Sequence, residues 1–163
     1  MSNDGLNFSK VSGSAEFAQA ALDTVGVARH QLSLMTVNLP QLVFGSEAFA
    51  EKLRTFVLGH RRASLRVLVH EPADAVRNSV RLAEFGRLLS SRIEFREVPA
   101  TRRQLKEEYL IADEKAVLYR ASTESLDAKF YAAAPMVARS HLRTFDAIWQ
   151  EAQVAREFTA LKI

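Results

Sequence analysis

Apolar residues recur along the chain with two spacings, and each spacing predicts one kind of element. Continuous apolar runs rich in strand formers predict buried strands at 32–39 and 64–70. Alternation of apolar and charged residues predicts a half-exposed strand at 92–98. Apolar positions three or four residues apart predict helices that cover the sheet. These helices are expected at 14–29, from Ser46 onward, at 73–90 and from Pro135 onward.

Residues 106–122, KEEYLIADEKAVLYRAS, have the pattern of a β-hairpin. Two apolar runs flank the polar turn of Asp113, Glu114 and Lys115, and a further short strand is expected at 129–134. The element order is therefore α-β-α-β-α-β-β-β-β-α. Its first half predicts parallel strands joined by right-handed crossovers, and its second half predicts antiparallel strands and a covering helix.

This order predicts an α/β fold in which a mixed sheet lies between helical layers. The polar N-terminus predicts a flexible segment over residues 1–13. Residues 14–163 are expected to form a single domain, because no linker or internal repeat interrupts them. A chain of 163 residues is also too short for two domains of ordinary size.

The chain contains no cysteine and only 6 glycines. The absence of cysteine excludes disulfides, thiol catalysis and thiolate metal sites. The glycines form neither G-x-G-x-x-G nor G-x-x-x-x-G-K, and no serine lies in a G-x-S-x-G sequence. The 4 histidines have no metal-binding spacing such as H-E-x-x-H, so we expect neither a metal nor a cofactor.

Charges of both signs are interspersed, with 22 Lys and Arg against 19 Asp and Glu and a formal net charge of +3. This mixing is typical of solvated faces, and no aromatic and basic platform indicates nucleic-acid binding. No apolar stretch reaches the ~20 residues of a membrane helix. The N-terminus lacks the apolar core of a signal peptide, so a cytoplasmic location is expected.

Two polar residues follow the predicted parallel strands. His70 ends the second strand, and Asn38 lies near the end of the first. Because ligands of open α/β sheets bind beyond the carboxyl ends of the strands, both residues are candidates to line a cleft. The simpler interpretation is that they only terminate buried strands.

Glu108 and Asp113 are the carboxylates considered for acid–base chemistry. Five residues apart on a strand, they point to opposite faces, which gives a paired-carboxylate mechanism little support. Asp113 also has a structural role available, because aspartate favours turns by accepting hydrogen bonds from nearby backbone.

The order of elements and the stretch YLIAD (109–113) together resemble one half of the phospholipase D superfamily. In that family a β-α-β-α-β run leads to a strand carrying His-x-Lys-x-x-x-x-Asp. A second hairpin strand, a Gly-Ser pair, an Asn and a closing helix follow. The resemblance covers most of residues 31–152. With Asp113 aligned to the motif aspartate, Lys106 takes the histidine position and Glu108 takes the lysine position.

The other motif positions also differ from the family pattern. The Gly-Ser positions fall at Arg120 and Ala121, or at Ala121 and Ser122 if the hairpin shifts by one residue. The asparagine position falls at Glu124 or Ser125. Only the aspartate is retained.

The resemblance implies a chemistry that these replacements do not support. Family members use the histidine as a nucleophile on phosphorus and the lysine as a clamp on the phosphate oxygens. Lys106 would be a protonated, poor nucleophile, and Glu108 would repel the phosphate. We therefore predict no phosphodiester hydrolysis and no catalytic residue.

The predicted function is that of a noncatalytic binding or regulatory domain. Its former active-site cleft would hold an anionic, phosphate-bearing small molecule or a partner protein. The candidate ligand-binding residues are Asn38, His70, Lys106, Glu108, Asp113, Arg120 and Ser122, with Arg102 and Arg103 nearby.

Two other functions stay open. Catalytic members of the family place two halves face to face, so the chain is a candidate homodimer through the C-terminal strand edge. It would then be a structural or interaction protein with a vestigial pocket. The second alternative is a divergent phosphodiesterase-like enzyme that uses Lys106, His70 or Asp113.

Overall fold

The computed structural model describes residues 7–159 of the protein. The strands are Ser9–Ser12 (β1), Gln31–Thr36 (β2), Ser64–Val69 (β3), Ile93–Glu97 (β4), Glu108–Ala112 (β5), Ala116–Arg120 (β6), Asp127–Tyr131 (β7) and Gln153–Val154 (β8). The helices are Gly13–Val27 (α1), Gln41–Phe44 (α2), Glu47–Gly59 (α3), Pro72–Asn78 (α4), Val80–Leu88 (α5), Pro135–Glu151 (α6) and Arg156–Thr159 (α7), with a 3-10 turn at Ala100–Arg102. The strands form one sheet in the order β1-β7-β6-β5-β2-β3-β4-β8.

Strands β2, β3 and β4 form the parallel half of the sheet, as the apolar runs predict. In the middle of this half, Leu34 lies opposite Val67, and Val67 lies opposite Phe95. Most side chains of β2 and β3 are buried, because helices cover both faces of the sheet. The predicted α/β fold with a mixed sheet is confirmed.

Strands β5 and β6 form the predicted hairpin. Their register places Glu108 directly opposite Arg120. Strand β5 also pairs antiparallel with β2, where Tyr109 lies opposite Met35. This second pairing joins the parallel and antiparallel halves into one sheet, and it sets Glu108 level with the end of β2.

Separate apolar cores lie on the two faces of the sheet. On one face, α1 to α5 and α7 pack against alternate strand positions such as Leu34, Val67 and Leu110. On the other face, Phe145 and Ile148 of α6 pack against the intervening positions. Of the helices within residues 7–159, α6 alone covers that second face, and none is long and apolar enough to cross a membrane.

Strand β1 corrects the prediction of a flexible segment over 1–13. Ser9–Ser12 pair antiparallel with β7, and Val11 is buried against the sheet. A short polar stretch carries no strand pattern of its own; it forms a strand because β7 offers it an unpaired edge. Residues 1–6 of the predicted segment lie outside the described residues.

The helix expected at 73–90 is divided at Ser79. The backbone leaves the helical conformation at this residue, with φ of −134° and ψ of 64°, and its hydroxyl donates a hydrogen bond to the carbonyl of Leu39 at 3.1 Å. The C-terminal elements β8 and α7 are also absent from the predicted order. Both depend on contacts between distant parts of the chain: β8 pairs antiparallel with β4, and Phe158 of α7 stacks on Phe95 at a centroid distance of 3.8 Å.

Candidate functional site

The carboxyl-terminal edge of the parallel strands gathers most of the predicted site residues. His70 directly follows β3, and Asn38 lies two residues beyond β2. Because β5 runs antiparallel to β2 and β6 antiparallel to β5, Glu108 and Arg120 lie at the same edge. Lys106 precedes β5 there and is exposed to solvent. The structure therefore brings together five of the seven candidates.

Glu108 and Arg120 form a buried ion pair at this edge. Glu108 is fully buried, and its Oε1 accepts a hydrogen bond from Arg120 Nε at 2.7 Å. Glu108 Oε2 accepts from the hydroxyl of Thr36 at 2.6 Å, and the Arg120 guanidinium lies 3.9 Å from the ring centre of Phe17. Both carboxylate oxygens are thus engaged by the protein itself.

The environment of Glu108 affects its pKa in opposite directions. Burial raises the pKa above its ordinary value, because an ionised carboxylate loses its hydration. Arg120 and the Thr36 hydroxyl oppose this rise by stabilising the ionised form. The carboxylate therefore depends on these two partners, which is typical of an internal structural pair.

His70 is buried at the same edge, with 2% of its surface exposed. Neither ring nitrogen has a hydrogen-bond partner within residues 7–159. Burial, together with the positive charges of Lys106 and Arg103, lowers the pKa of His70 to about 4. The imidazole is therefore neutral at neutral pH.

An aromatic group lies between the hairpin and α6. The ring of His141 packs 4.9 Å from Tyr109 and 5.1 Å from Tyr119. The Tyr119 hydroxyl donates to Glu107 Oε2 at 2.7 Å, and burial together with this carboxylate raises the pKa of Tyr119 to about 12. Burial also lowers the pKa of His141, so all three rings are neutral at neutral pH. The sequence analysis did not select this group, although Tyr109 and Tyr119 lie equally far from the hairpin turn.

Asp113 lies at the opposite edge of the sheet, which corrects its assignment to the shared site. Its carboxylate accepts hydrogen bonds from the backbone N–H groups of Arg29 at 3.1 Å, His30 at 2.8 Å and Gln31 at 3.0 Å. It adopts a positive φ of 57° in the hairpin turn. Asp113 thus fixes the connection between α1 and β2 and does not approach His70 or Glu108.

Asn38 and Ser122 are half-buried, and each takes part in hydrogen bonds within the protein. The carbonyl of Asn38 accepts from the side-chain amide of Asn78 at 2.8 Å. The hydroxyl of Ser122 lies 3.2 Å from that of Ser125 and accepts from the backbone of Glu124 at 3.3 Å. Ser122 therefore belongs to the turn after β6, and nothing brings it to the Glu108 carboxylate.

A groove of about 740 Å³ lies at the amino-terminal edge of the parallel strands, on the side of α6. Five basic side chains contribute to its lining, and we name it the arginine groove after them: His30, Arg62, Arg66, Arg139 and Arg143. Leu142 and the carboxylates of Asp113, Glu114 and Asp146 complete much of the lining. The sequence analysis missed this groove; its one local signal is the spacing of Arg139 and Arg143, one turn apart on α6.

Residues 13–161 match the family model DUF7931, described as a domain of unknown function. The chain belongs to the DUF7931 family. No protein of curated function matches this DUF7931 chain in sequence.

Solved structures similar to the DUF7931 chain identify its fold. Nuc from Salmonella typhimurium, a phospholipase D family member, matches with a TM-score of 0.65 and 17% identity, covering 91% of this chain and 99% of Nuc. The archaeal chromatin protein TrmBL2 matches with a TM-score of 0.67 and 12% identity, over 95% of this chain and 57% of TrmBL2. Phosphatidylserine synthase from Haemophilus influenzae matches with a TM-score of 0.64 and 12% identity, over 97% and 42%.

These similarities confirm the predicted phospholipase D-like fold. The DUF7931 chain corresponds to nearly the whole of Nuc, but to about half of TrmBL2 and less than half of the synthase. At identities of 17% and below, the similarity concerns the fold alone.

Proposed function

We propose that this DUF7931 domain is a noncatalytic binding or regulatory domain that holds an anionic, phosphate-bearing ligand without cleaving it. One observation carries the proposal. At the position where the resembled motif has its phosphate-clamping lysine, this chain has Glu108, which is buried and bonded to Arg120 and Thr36. A carboxylate held in this way offers no positive charge to a phosphate.

The position of the motif histidine supports the same conclusion. Lys106 stands there and is exposed to solvent. Lysines that act as nucleophiles are activated by desolvation or by a nearby cation in a pocket. An exposed side chain lacks that activation, so Lys106 is better suited to bind an anion than to attack phosphorus.

His70 does not replace the missing nucleophile in this proposal. A nucleophile must come within about 3–3.5 Å of the reacting atom, and His70 is almost completely buried beneath the edge. Its neutral ring also lies near the positive charge of Lys106. The exposed Lys106 favours an anion near the edge, and the buried ring offers that anion no route to attack.

The proposal is tested by incubating the purified protein with bis(p-nitrophenyl) phosphate, a generic phosphodiester, with and without added divalent cations. We expect no release of p-nitrophenol above a buffer blank, for the wild type and for Lys106→Ala alike. Lys106 is exposed, so its replacement leaves the fold intact. Turnover by the wild type that Lys106→Ala abolishes would overturn the proposal.

A further inference from the structure

The arginine groove lies at the edge of the sheet opposite to the Glu108–Arg120 pair. We propose that it is a binding site for the phosphate group of a small phosphorylated molecule. The inference deepens the proposed function and rests on it in one respect: it names the surface through which a binding domain would hold its anionic ligand.

Arg66 forms a fixed wall of the groove. Its Nη1 lies 2.9 Å from Asp146 Oδ1, its Nη2 donates to the hydroxyl of Ser33 at 3.1 Å, and its guanidinium lies 4.7 Å from the ring centre of Phe145. Its Nε is buried and has no hydrogen-bond partner within residues 7–159. The charge of Arg66 is therefore largely balanced by Asp146, while its position is set by packing.

The other arginines of the groove carry charge that the protein does not balance. In the described part of the chain, no carboxylate lies within ion-pair distance of Arg62, Arg139 or Arg143. The carboxylate of Asp113 is engaged by backbone N–H groups. Four arginines and three carboxylates line the groove, so about one positive charge remains uncompensated before a ligand binds.

Repulsion between the unpaired arginines of α6 lowers the stability of that helix. Arg139 and Arg143 lie one turn apart, and like charges at this spacing destabilise a helix by about 0.2–0.5 kcal/mol. Arg62 approaches the same groove from the turn before β3. An external anion that lies between these three side chains would relieve the repulsion.

The chemistry of the groove favours phosphate over other anions. Arginine presents a planar fork of N–H donors that matches phosphate oxygens in bidentate contacts. Three unpaired arginines also match the double negative charge of a phosphate monoester. The volume of about 740 Å³ lies within the usual range for small-molecule sites, and Leu142 gives an apolar wall for the rest of the molecule.

The acidic residues in the lining argue against a nucleic acid. A strand running along the groove would pass Glu114 and Asp146, whose carboxylates would repel successive phosphates. A single phosphate group can lie among the arginines without approaching Glu114. We therefore assign the groove to a compact phosphorylated molecule.

The test is isothermal titration of pyrophosphate into the wild type and two double variants. Arg139→Ala/Arg143→Ala removes two charges from the groove. Arg54→Ala/Arg87→Ala removes two exposed arginines from helices on the other face of the sheet, and thus matches the change in net charge. We expect the groove variant to bind about tenfold more weakly or worse, and the control variant within about twofold of the wild type.

Three outcomes would overturn the inference. Equal losses in both double variants would show general electrostatic attraction, and undetectable binding to the wild type at millimolar pyrophosphate would show that there is no such site. A short single-stranded oligonucleotide that binds more tightly than pyrophosphate, and loses this binding in the groove variant, would replace the assigned ligand class. Circular dichroism of both variants checks that the fold is retained.

The titration also separates this inference from the proposed function. Loss of binding in Lys106→Ala with no change in the groove variant would place the ligand at the other edge and overturn only the groove. Phosphodiester turnover together with weakened binding in the groove variant would overturn only the noncatalytic function.

Discussion

In the part of the chain that the structure describes, arginine side chains are paired with carboxylates at one edge of the sheet, whereas several arginines lack such partners at the other. At the carboxyl-terminal edge, Arg120 is buried and its charge is paired with that of Glu108. At the amino-terminal edge, Arg139 and Arg143 remain without carboxylate partners within residues 7–159. The edge where ligands of such sheets usually bind therefore has its arginines paired internally and retains the exposed Lys106, whereas the opposite edge carries unpaired arginines.

Two further arginines at the carboxyl-terminal edge are also paired with carboxylates. Arg102 pairs with Glu151 at 3.0 Å and Arg103 with Glu97 at 2.5 Å, both at the carboxyl-terminal edge. A count of basic residues in the sequence does not separate these from the arginines of the groove. What decides whether an arginine can bind a ligand is the presence of a carboxylate beside it in the fold.

The largest effect is expected from breaking the buried pair. Glu108→Ala leaves the Arg120 guanidinium buried without its counter-ion, and we expect the free energy of unfolding to fall by about 3–5 kcal/mol. Urea denaturation followed by circular dichroism measures this change. A loss below about 1 kcal/mol would mean that the pair is not structural and would remove the contrast between the edges.

The double replacement Glu108→Leu/Arg120→Met is the matched control. It removes both charges and keeps similar side-chain volume, so much of the lost stability should return. If the double variant is as unstable as Glu108→Ala, packing at these positions matters more than the charges.

The second effect is a loss of stability on lowering the pH, which we expect from the protonation of His70. Its pKa is about 4 in the folded protein against an ordinary value of 6.5 for histidine, so the unfolded chain takes up the proton first as pH falls. The contribution of the neutral His70 to the free energy of unfolding should be fully present above about pH 6.5. It should decrease as the pH falls toward 4, by about 3 kcal/mol at most. Urea denaturation at a series of pH values gives the profile.

His70→Gln isolates this contribution, because glutamine stays neutral over the range. Any dependence of the free energy of unfolding on pH that the wild type and His70→Gln share comes from other groups. These include His141, whose pKa is also lowered by burial. Parallel profiles for the wild type and His70→Gln would contradict the prediction.

A smaller effect is expected at the opposite edge, from Asp113→Ala. The change removes the acceptor for three backbone N–H groups and places alanine at a positive φ. We expect a loss of about 1–3 kcal/mol in the free energy of unfolding, measured by urea denaturation. Asp113→Asn tolerates the positive φ and keeps one acceptor oxygen, so it should lose less. A larger loss for Asn than for Ala would exclude this structural role.

Local patterns in the sequence predicted much of the fold. The apolar runs predicted β2 and β3, and the polar turn predicted the hairpin, because each depends on neighbouring residues alone. The helix expected from Ser46 onward is confirmed, and the Ser46 hydroxyl caps it by accepting a hydrogen bond from the backbone N–H of Phe49 at 3.1 Å. The division at Ser79 was not predictable, because the hydrogen bond to Leu39 joins segments distant in sequence.

The candidate site was predicted only in part, for a similar reason. The sequence places Glu108 and Arg120 at equal distances from the hairpin turn, so their pairing could have been inferred from the hairpin register. It does not show that Arg62 approaches α6, because that contact depends on how the helix lies across the sheet. The cytoplasmic location and the homodimer through the C-terminal strand edge stay predictions.

The pairing of β1 with β7 has a consequence for folding. Ser9 meets Phe130, so the two strands are separated by most of the length of the chain. Contacts of such high sequence separation form late, because the intervening chain must first be ordered. During synthesis β1 leaves the ribosome long before its partner strand exists, and until the two meet, β7 has an open edge available to other extended chains.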